Sequence, residues 1–213
     1  MTLTTLANEH ISDDAGVSRK RAYSKPGERR VQILQALGEM LEHPKGERIT
    51  TAALAARLEV SEAALYRHFA SKAQMFESLI EFIEGTLIGL TEQCAADHDD
   101  GVEQTRALVL ALLGFAEQNR GMTRVLVGDA LVGENDRLQV RMNELFDRIE
   151  AAVARGLRTA LFQGRLPSGF DVDARANLIL SFVGGKWHRY AKSGWLRTPA
   201  EGAEAQVAAL LAV

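Results

Sequence analysis

From residue 26 onward, apolar residues recur every three or four positions, which is the period of an amphipathic α-helix. The sequence shows no strand-like alternation of apolar and polar residues, so we expect an all-α fold. Proline and glycine near residue 45 end the first helix, and polar or glycine-containing segments separate the later ones. The pattern predicts one helix that begins at residue 26 and further helices over 52–58, 62–68, 71–94, 102–119, 122–131, 134–162, 171–193 and 199–211.

Two short helices joined by a tight turn are predicted between residues 49 and 72. Alanines on the first helix allow the second to cross it closely, and apolar residues on both supply a small core. Ser61 is placed to cap the second helix. Ala63 and Ala64 near its start leave room for base edges in a DNA major groove. This arrangement predicts a helix-turn-helix that binds double-stranded DNA.

Polar and basic side chains surround this motif. Thr50 and Thr51 stand at the start of the first short helix, where backbone N–H groups also favour a phosphate. Tyr66 and Arg67 can donate to phosphates from the second. Because phosphate contacts would supply most of the affinity, binding should weaken steeply with salt. The candidate DNA-binding residues are Arg29, Arg30, Thr50, Thr51, Ser61, Ala63, Ala64, Tyr66, Arg67, His68 and Lys72.

The charge of the chain is unevenly distributed, although the net value is only −3. Residues 19–72 carry eleven Lys and Arg against six Asp and Glu, whereas residues 73–213 carry fourteen against nineteen. A basic N-terminal third on an acidic body is typical of a protein in which one part faces phosphates. A solvated surface of mixed charge is the alternative interpretation.

Residues 1–24 show no apolar period and end in a basic cluster at Arg19, Lys20 and Arg21. We expect a disordered tail, either a plain extension or an arm that enters a DNA minor groove. These 25 or so residues also lack the continuous apolar stretch of a signal peptide, and no apolar run approaches the ~18 residues that a membrane-spanning helix needs. The sequence therefore predicts a cytoplasmic protein.

Residue types that support catalysis or metal binding are not arranged for it. Cys94 is the only cysteine, which excludes an intramolecular disulfide and a cysteine-based zinc site. His98 stands among three aspartates in a loop, without the spacing that would aim ligands at one point. No nucleophile–base pair, phosphate loop or paired carboxylate stands out, so we expect neither an enzyme nor a cofactor.

The helix-turn-helix resembles that of the TetR family of bacterial DNA-binding proteins. The resemblance implies three N-terminal DNA-binding helices within residues 25–71 and a helical domain over 72–213 for dimerisation and partner binding. It also implies a homodimer built mainly by the last two helices, here expected at 171–193 and 199–211. The residues that carry it are Val60-Ser61-x-x-x-Leu65-Tyr66-Arg67-His68-Phe69-x-Ser71-Lys72.

Within that family, residues from about 29 to 160 resemble the nucleoid occlusion factors of proteobacteria. That resemblance implies a nucleoid-associated protein that binds palindromic chromosomal sites, commonly as two dimers per site. On DNA it would bind the C-terminal tail of FtsZ and antagonise FtsZ polymers, so that no septum forms over the nucleoid. The residues that extend the likeness beyond the DNA-binding motif are Met75-Phe76-Glu77-Ser78-Leu79-Ile80-Glu81-Phe82-Ile83-Glu84, Leu112-Leu113-Gly114-Phe115, Thr123-Arg124-Val125-Leu126 and Asp136-Arg137-Leu138-Gln139.

The resemblance places the FtsZ tail in a groove between the fourth and fifth helices. Gly114 suits such a groove because an absent side chain lets a peptide backbone approach. Leu90 and Gln118 stand where relatives carry basic side chains, so an acidic tail would meet less positive charge, with Arg106 or Arg120 as candidates to compensate. The candidate FtsZ-binding residues are Phe82, Ile83, Leu90, Gly114, Phe115, Gln118 and Asn119.

A ligand-responsive transcriptional repressor of the same fold is the alternative function. It would need a cavity in the C-terminal domain whose occupation shifts the spacing of the two DNA-reading heads. The residues expected to line such a cavity are Phe115, Met142, Phe146 and Phe182.

Overall fold

The computed structural model describes residues 26–43 and 49–212, and every regular element in that part of the chain is helical, as expected. The tail with Arg19, Lys20 and Arg21, and the break that ends the first helix, lie outside the described residues. In chain order the helices are α1 Pro26–Leu41, α2 Thr51–Arg57, α3 Glu62–Tyr66, α4 Lys72–Asp97, α5 Gly101–Gln118, α6 Arg120–Leu126, a 3-10 turn Asp129–Leu131, α7 Asp136–Phe162, α8 Val172–Lys192 and α9 Ala203–Leu211.

Side-chain caps set the starts of most of these helices. The hydroxyls of Thr50, Ser61 and Ser71 accept the backbone N–H three residues later, at 3.1, 3.2 and 3.1 Å. The carboxylates of Asp100 and Asp171 cap α5 and α8 in the same way. These residue types are recognisable in the sequence, which is why the predicted starts fall within a few residues of the observed ones.

The predictions for two helices near glycines were wrong. Residues 122–131 were expected to form one helix, but α6 ends at Leu126 and Gly128 adopts a φ of 81° before a separate 3-10 turn. Residues 199–211 were expected to be helical throughout, but α9 begins only after Gly202, whose φ is 67°. Left-handed backbone, which glycine adopts without a steric penalty, interrupts the helix in both places.

Helix α7 lies at the centre of the C-terminal domain and packs against α4, α5 and α8. Its buried face includes Leu145, Ile149 and Leu157. A Cβ built on Gly101 would lie 2.2 Å from the backbone nitrogen of Ala160, so α5 and α7 approach too closely for any side chain there. This close packing fixes α5, which carries half of the expected groove.

The three N-terminal helices are attached to the rest of the molecule through the end of α1. A Cβ built on Gly121 of α6 would lie 2.1 Å from the carbonyl oxygen of Gly38 in α1, so the two helix backbones touch. Buried Arg124 donates to the carbonyls of Leu41 and His43 at 3.2 and 3.1 Å. These bonds satisfy the carbonyls that the end of α1 leaves without partners and tie the two domains together.

No helix within residues 26–43 and 49–212 is both long and apolar enough to cross a membrane.

Candidate nucleic-acid interface and partner groove

Helices α2 and α3 form the expected helix-turn-helix. Leu54 and Leu65 are buried between them, and Phe69 closes the core behind α3. Glu59, which follows the end of α2, adopts a φ of 54°, and the next N–H, of Val60, reaches back to the carbonyl of Ala55 at 3.0 Å. The sequence did not reveal this left-handed residue, because a glutamate seldom adopts that conformation.

One face of α3 and the starts of α2 and α3 present the surface expected to meet DNA. Thr50, Ser61 and Ala63 are exposed, and Ala64 is half-buried. The Tyr66 side chain is 46% exposed, and the Arg67 guanidinium is exposed and makes no hydrogen bond or ion pair with any residue that the structure describes. Thr51 at the start of α2 is also half-buried, so seven of the predicted residues lie at this surface. Among them, Arg67 offers a guanidinium that is available to a phosphate.

Two predicted basic residues are engaged inside the protein. Arg30 donates to the carbonyl of His68 and to the hydroxyl of Ser78, and its guanidinium lies 4.1 Å from the centre of the Phe69 ring. The ammonium of Lys72 is 2.5 Å from a carboxylate oxygen of Glu134, and both side chains are mostly buried. In this state Arg30 holds α1 against the helix-turn-helix, and Lys72 pairs with the segment that leads into α7.

The remaining predicted positions are partly engaged. Arg29 is half-buried and donates to the Gln32 amide at 2.8 Å. His68 is half-buried. The hydroxyl of Thr51 donates to the Glu62 carboxylate at 2.5 Å. Glu62, at the first position of α3, lies at the same surface and was not among the predicted residues, although it directly precedes Ala63 in the sequence.

The expected groove lies over α5, with α4 on one side. A Cβ built on Gly114 would meet nothing within 4 Å, so the middle of the exposed α5 face is open. Phe82 and Leu90 are half-buried on α4, eight residues apart, and Gln118 is exposed at the end of α5. These four residues form the surface that we call the groove.

Three of the predicted groove residues lie beneath this surface. Ile83 is fully buried, and Phe115 and Asn119 are each 4% exposed. The amide of Asn119 donates to the carbonyl of Phe115 at 2.9 Å. In this conformation these side chains support the groove from below and do not face a partner, because helical periodicity turns them inward.

The opposite side of the groove is formed by α9 and the loop before it. Arg106 on α5 donates to Glu204 on α9 at 2.6 Å, and the carboxylate of Glu117 accepts the Ala200 N–H at 2.7 Å. The Arg106 guanidinium also pairs with Glu103 at 3.1 Å, and these two carboxylates raise the pKa of Arg106. Arg120 donates to the Tyr190 hydroxyl at 3.1 Å. Arg106 and Arg120 were expected to compensate for the lack of basic side chains at positions 90 and 118, and both already bind other side chains of the protein.

Of the four residues expected to line a ligand cavity, two are buried in the core, and Phe146 and Phe182 are half-buried against it. Phe115 and Met142 are buried, and the Phe146 ring lies 6.1 Å from the ring of fully buried Trp187. The Trp187 indole N–H donates to the carbonyl of Leu112 at 3.1 Å. Across residues 26–43 and 49–212, no group of three or more His, Cys, Asp or Glu side chains is arranged to hold a metal ion.

Comparisons with known proteins agree with this architecture. Residues 46–79 match the N-terminal domain family "Bacterial regulatory proteins, tetR family", and residues 100–212 match the family SlmA-like_C, described as "Tetracyclin repressor-like, C-terminal domain". The nucleoid occlusion factor SlmA of Idiomarina loihiensis is 48% identical over 178 residues, which cover 84% of this chain and 91% of that protein. The nucleoid occlusion factor SlmA of Escherichia coli is 47% identical over 179 residues, covering 84% and 90%.

Solved structures show the same fold at lower identity. The fatty acid degradation regulator FadR from Bacillus halodurans superposes with a TM-score of 0.75 at 15% identity, covering 88% of this chain and 97% of that one. The TetR family regulator PfmR from Thermus thermophilus gives a TM-score of 0.70 at 23% identity, covering 84% and 97%.

Proposed function

The chain belongs to the TetR family and, within it, to the nucleoid occlusion factors named SlmA, and on that basis we propose that it binds palindromic chromosomal DNA and, while bound, antagonises FtsZ polymers. The observation that carries the proposal is a likeness of nearly one residue in two across both domains, including the C-terminal domain. The two domains of a regulator bind different partners, so their sequences can diverge separately. Similarity in both domains therefore supports the same function in this chain and in the SlmA relatives.

DNA binding in this proposal starts from the exposed face of α3. Ala63 leaves space for base edges, Tyr66 and Arg67 donate to phosphates, and the capped starts of α2 and α3 direct N–H groups outward. Arg67 contributes as a free guanidinium, whereas Arg30 contributes only by holding the motif in place.

Pairing of two chains would match the two halves of a palindromic site. We place the pairing surface on the outward faces of α7 and α8, which expose Val140, Phe162 and Leu178. Phe162 is 93% exposed, and large apolar side chains left in water favour association. This differs from the sequence expectation of α8 with the last helix, because α9 has only nine residues and turns Ala203, Val207 and Leu211 into the core.

The groove over α5 would then receive the C-terminal tail of FtsZ. Helix α4 links the two surfaces, because it begins at Lys72 beside the helix-turn-helix and carries Phe82 and Leu90 further along. The tail's apolar residues would contact Phe82 and Leu90, and its backbone would pass over Gly114.

Replacing Gly114 with Asp tests this surface. Since no atom lies within 4 Å of the added Cβ, the fold should persist, while a charged side chain would block the groove floor. We expect Gly114→Asp to weaken binding of an FtsZ tail peptide at least about tenfold, measured by fluorescence anisotropy, with DNA affinity unchanged. Gly114→Ala is the matched control and should lose much less. Equal peptide binding by the aspartate variant and the wild type would refute the groove.

A further inference from the structure

A basic pocket lies between the C-terminal end of α8 and the loop before α9. It has a volume of about 190 Å³ and is lined by Lys186, Arg189, Arg197, Thr198 and Glu201. Three of these five side chains are cationic and one is anionic, so the pocket is positive in a domain whose overall charge is negative. We call these five residues the basic pocket.

The loop that carries Arg197 is held in place by several bonds. The hydroxyl of Ser193 accepts the N–H groups of Leu196 and Arg197 at 3.1 and 2.9 Å and donates to the carbonyl of Tyr190 at 2.9 Å. Trp195 adopts a φ of 70° and its indole N–H donates to the carbonyl of Glu42 at 2.6 Å. The pocket is therefore a preformed feature, which reduces the entropy lost when a ligand binds.

Two guanidiniums of the pocket have no partner among the described residues. The side chains of Arg189 and Arg197 are exposed, and neither guanidinium makes a hydrogen bond or ion pair within residues 26–43 and 49–212. Lys186 instead donates to the carbonyl of Glu201 at 2.8 Å, which leaves the Glu201 carboxylate as the opposing charge. The neighbouring cation Lys192 is neutralised by both carboxylate oxygens of Asp129, at 2.8 Å each. The free positive charge at this end of the domain is thus concentrated on two arginines.

Two hydrogen bonds bring the basic pocket close to the end of α5. The Ala200 N–H donates to Glu117, the residue before Gln118 in α5, and Ala200 directly precedes Glu201 of the pocket. The Arg120 bond to Tyr190 joins the segment after α5 to the helix that carries Arg189. A peptide that leaves the groove past the end of α5 would therefore reach the pocket.

We propose that the basic pocket binds carboxylate side chains of an acidic peptide whose apolar part lies in the groove. The proposal rests on the proposed function, because it assigns a second contact to the same partner tail. Arginine suits this task, since its planar guanidinium can pair with a carboxylate through two parallel hydrogen bonds. Leu196, 83% exposed beside Arg197, adds an apolar contact at the rim. The pocket supplies the positive charge that Leu90 and Gln118 do not.

The test uses the full chain bound to palindromic DNA and a fluorescein-labelled FtsZ C-terminal peptide, with binding followed by anisotropy. A second peptide carries Asn and Gln in place of every Asp and Glu. We expect Arg189→Gln/Arg197→Gln to weaken binding of the acidic peptide about 5- to 30-fold and to bind both peptides alike, and the loss should shrink as salt rises. Arg165→Gln, the control, removes a positive charge from the exposed loop after α7, outside the pocket and the pairing surface, and should bind as the wild type does.

Thermal unfolding and DNA affinity of the pocket variant, both expected to be unchanged, exclude misfolding as the cause. If wild type binds the acidic peptide and the pocket variant binds it equally well, the pocket assignment is wrong while the groove stands. If the pocket variant loses DNA affinity as well, the arginines contact phosphates and the assignment is also wrong. If wild type binds neither peptide, the proposed function fails together with this inference.

Discussion

At the scale of single residues, Arg30 and Arg67 show why chemical type alone does not assign a role. Both are arginines near the helix-turn-helix, and both were candidates for phosphate contact. In the structure the Arg30 guanidinium lies over the Phe69 ring and donates to the His68 carbonyl, whereas the Arg67 side chain is exposed and has no partner in the described part of the chain. Which way a long side chain turns depends on tertiary neighbours such as Ser78, and the sequence does not contain that information locally.

This difference predicts separable effects. Arg30→Ala should lower the free energy of unfolding by about 1–3 kcal/mol, because it leaves a carbonyl without its donor and removes a contact over an aromatic ring. Arg67→Ala should leave stability within about 0.5 kcal/mol of wild type and weaken binding to specific and nonspecific DNA about tenfold, with a shallower salt dependence. Urea unfolding and DNA anisotropy measure the two effects. A loss of stability in Arg67→Ala, or no loss in Arg30→Ala, would contradict the structural role of Arg30 and the DNA-contacting role of Arg67.

At the scale of helices, periodicity and capping residues predicted most elements and their starts. Ser61 acts as the cap that the sequence predicted, and the hydroxyls of Thr50 and Ser71 cap α2 and α4 in the same way. The end of α6 and the start of α9 were harder to predict, because each depends on whether a glycine adopts a left-handed backbone conformation. A close crossing of two helices is a further feature that no local pattern reveals, since it needs two glycines from distant segments to meet.

The crossing of α1 and α6 leads to a stability prediction. Gly121→Ala should lower the free energy of unfolding by about 1–3 kcal/mol, because the new methyl would lie 2.1 Å from the Gly38 carbonyl oxygen and force the helices apart. Gly114→Ala, in open space on α5, should instead be neutral or stabilising by up to about 1 kcal/mol. Thermal or urea unfolding of the two variants provides the comparison. Similar effects of both alanines would show that α1 and α6 do not touch as described.

The start of α4 carries a second prediction at this scale. Lys72 pairs with Glu134, so a DNA phosphate must compete with that carboxylate for the ammonium. Glu134→Gln should release Lys72 and raise DNA affinity about 2- to 10-fold at low salt. Glu144→Gln, which removes an exposed acid elsewhere on α7, is the control and should have a smaller effect. Unchanged or weaker DNA binding by Glu134→Gln relative to that control would contradict the competition.

At the scale of the whole molecule, the sequence predicted the all-α fold class, but it did not show which of the predicted site residues are exposed. Gly114, Phe82, Leu90 and Gln118 are all at least partly exposed, whereas Ile83, Phe115 and Asn119 are buried. A motif identifies which residues accompany a function, whereas burial decides which of them a partner can touch. The basic pocket had no sequence signal, because its residues come from α8 and the loop that follows it.

In the proposed function, DNA binding and FtsZ antagonism are two activities of one molecule, joined through α4. Sedimentation of FtsZ polymers tests this most directly, with wild type and Gly114→Asp each measured with and without palindromic DNA. We predict that DNA-bound wild type lowers the pelleted FtsZ, that wild type without DNA does so much less, and that Gly114→Asp leaves the polymers intact although it still binds DNA. Polymers that survive saturating amounts of DNA-bound wild type would contradict the central claim.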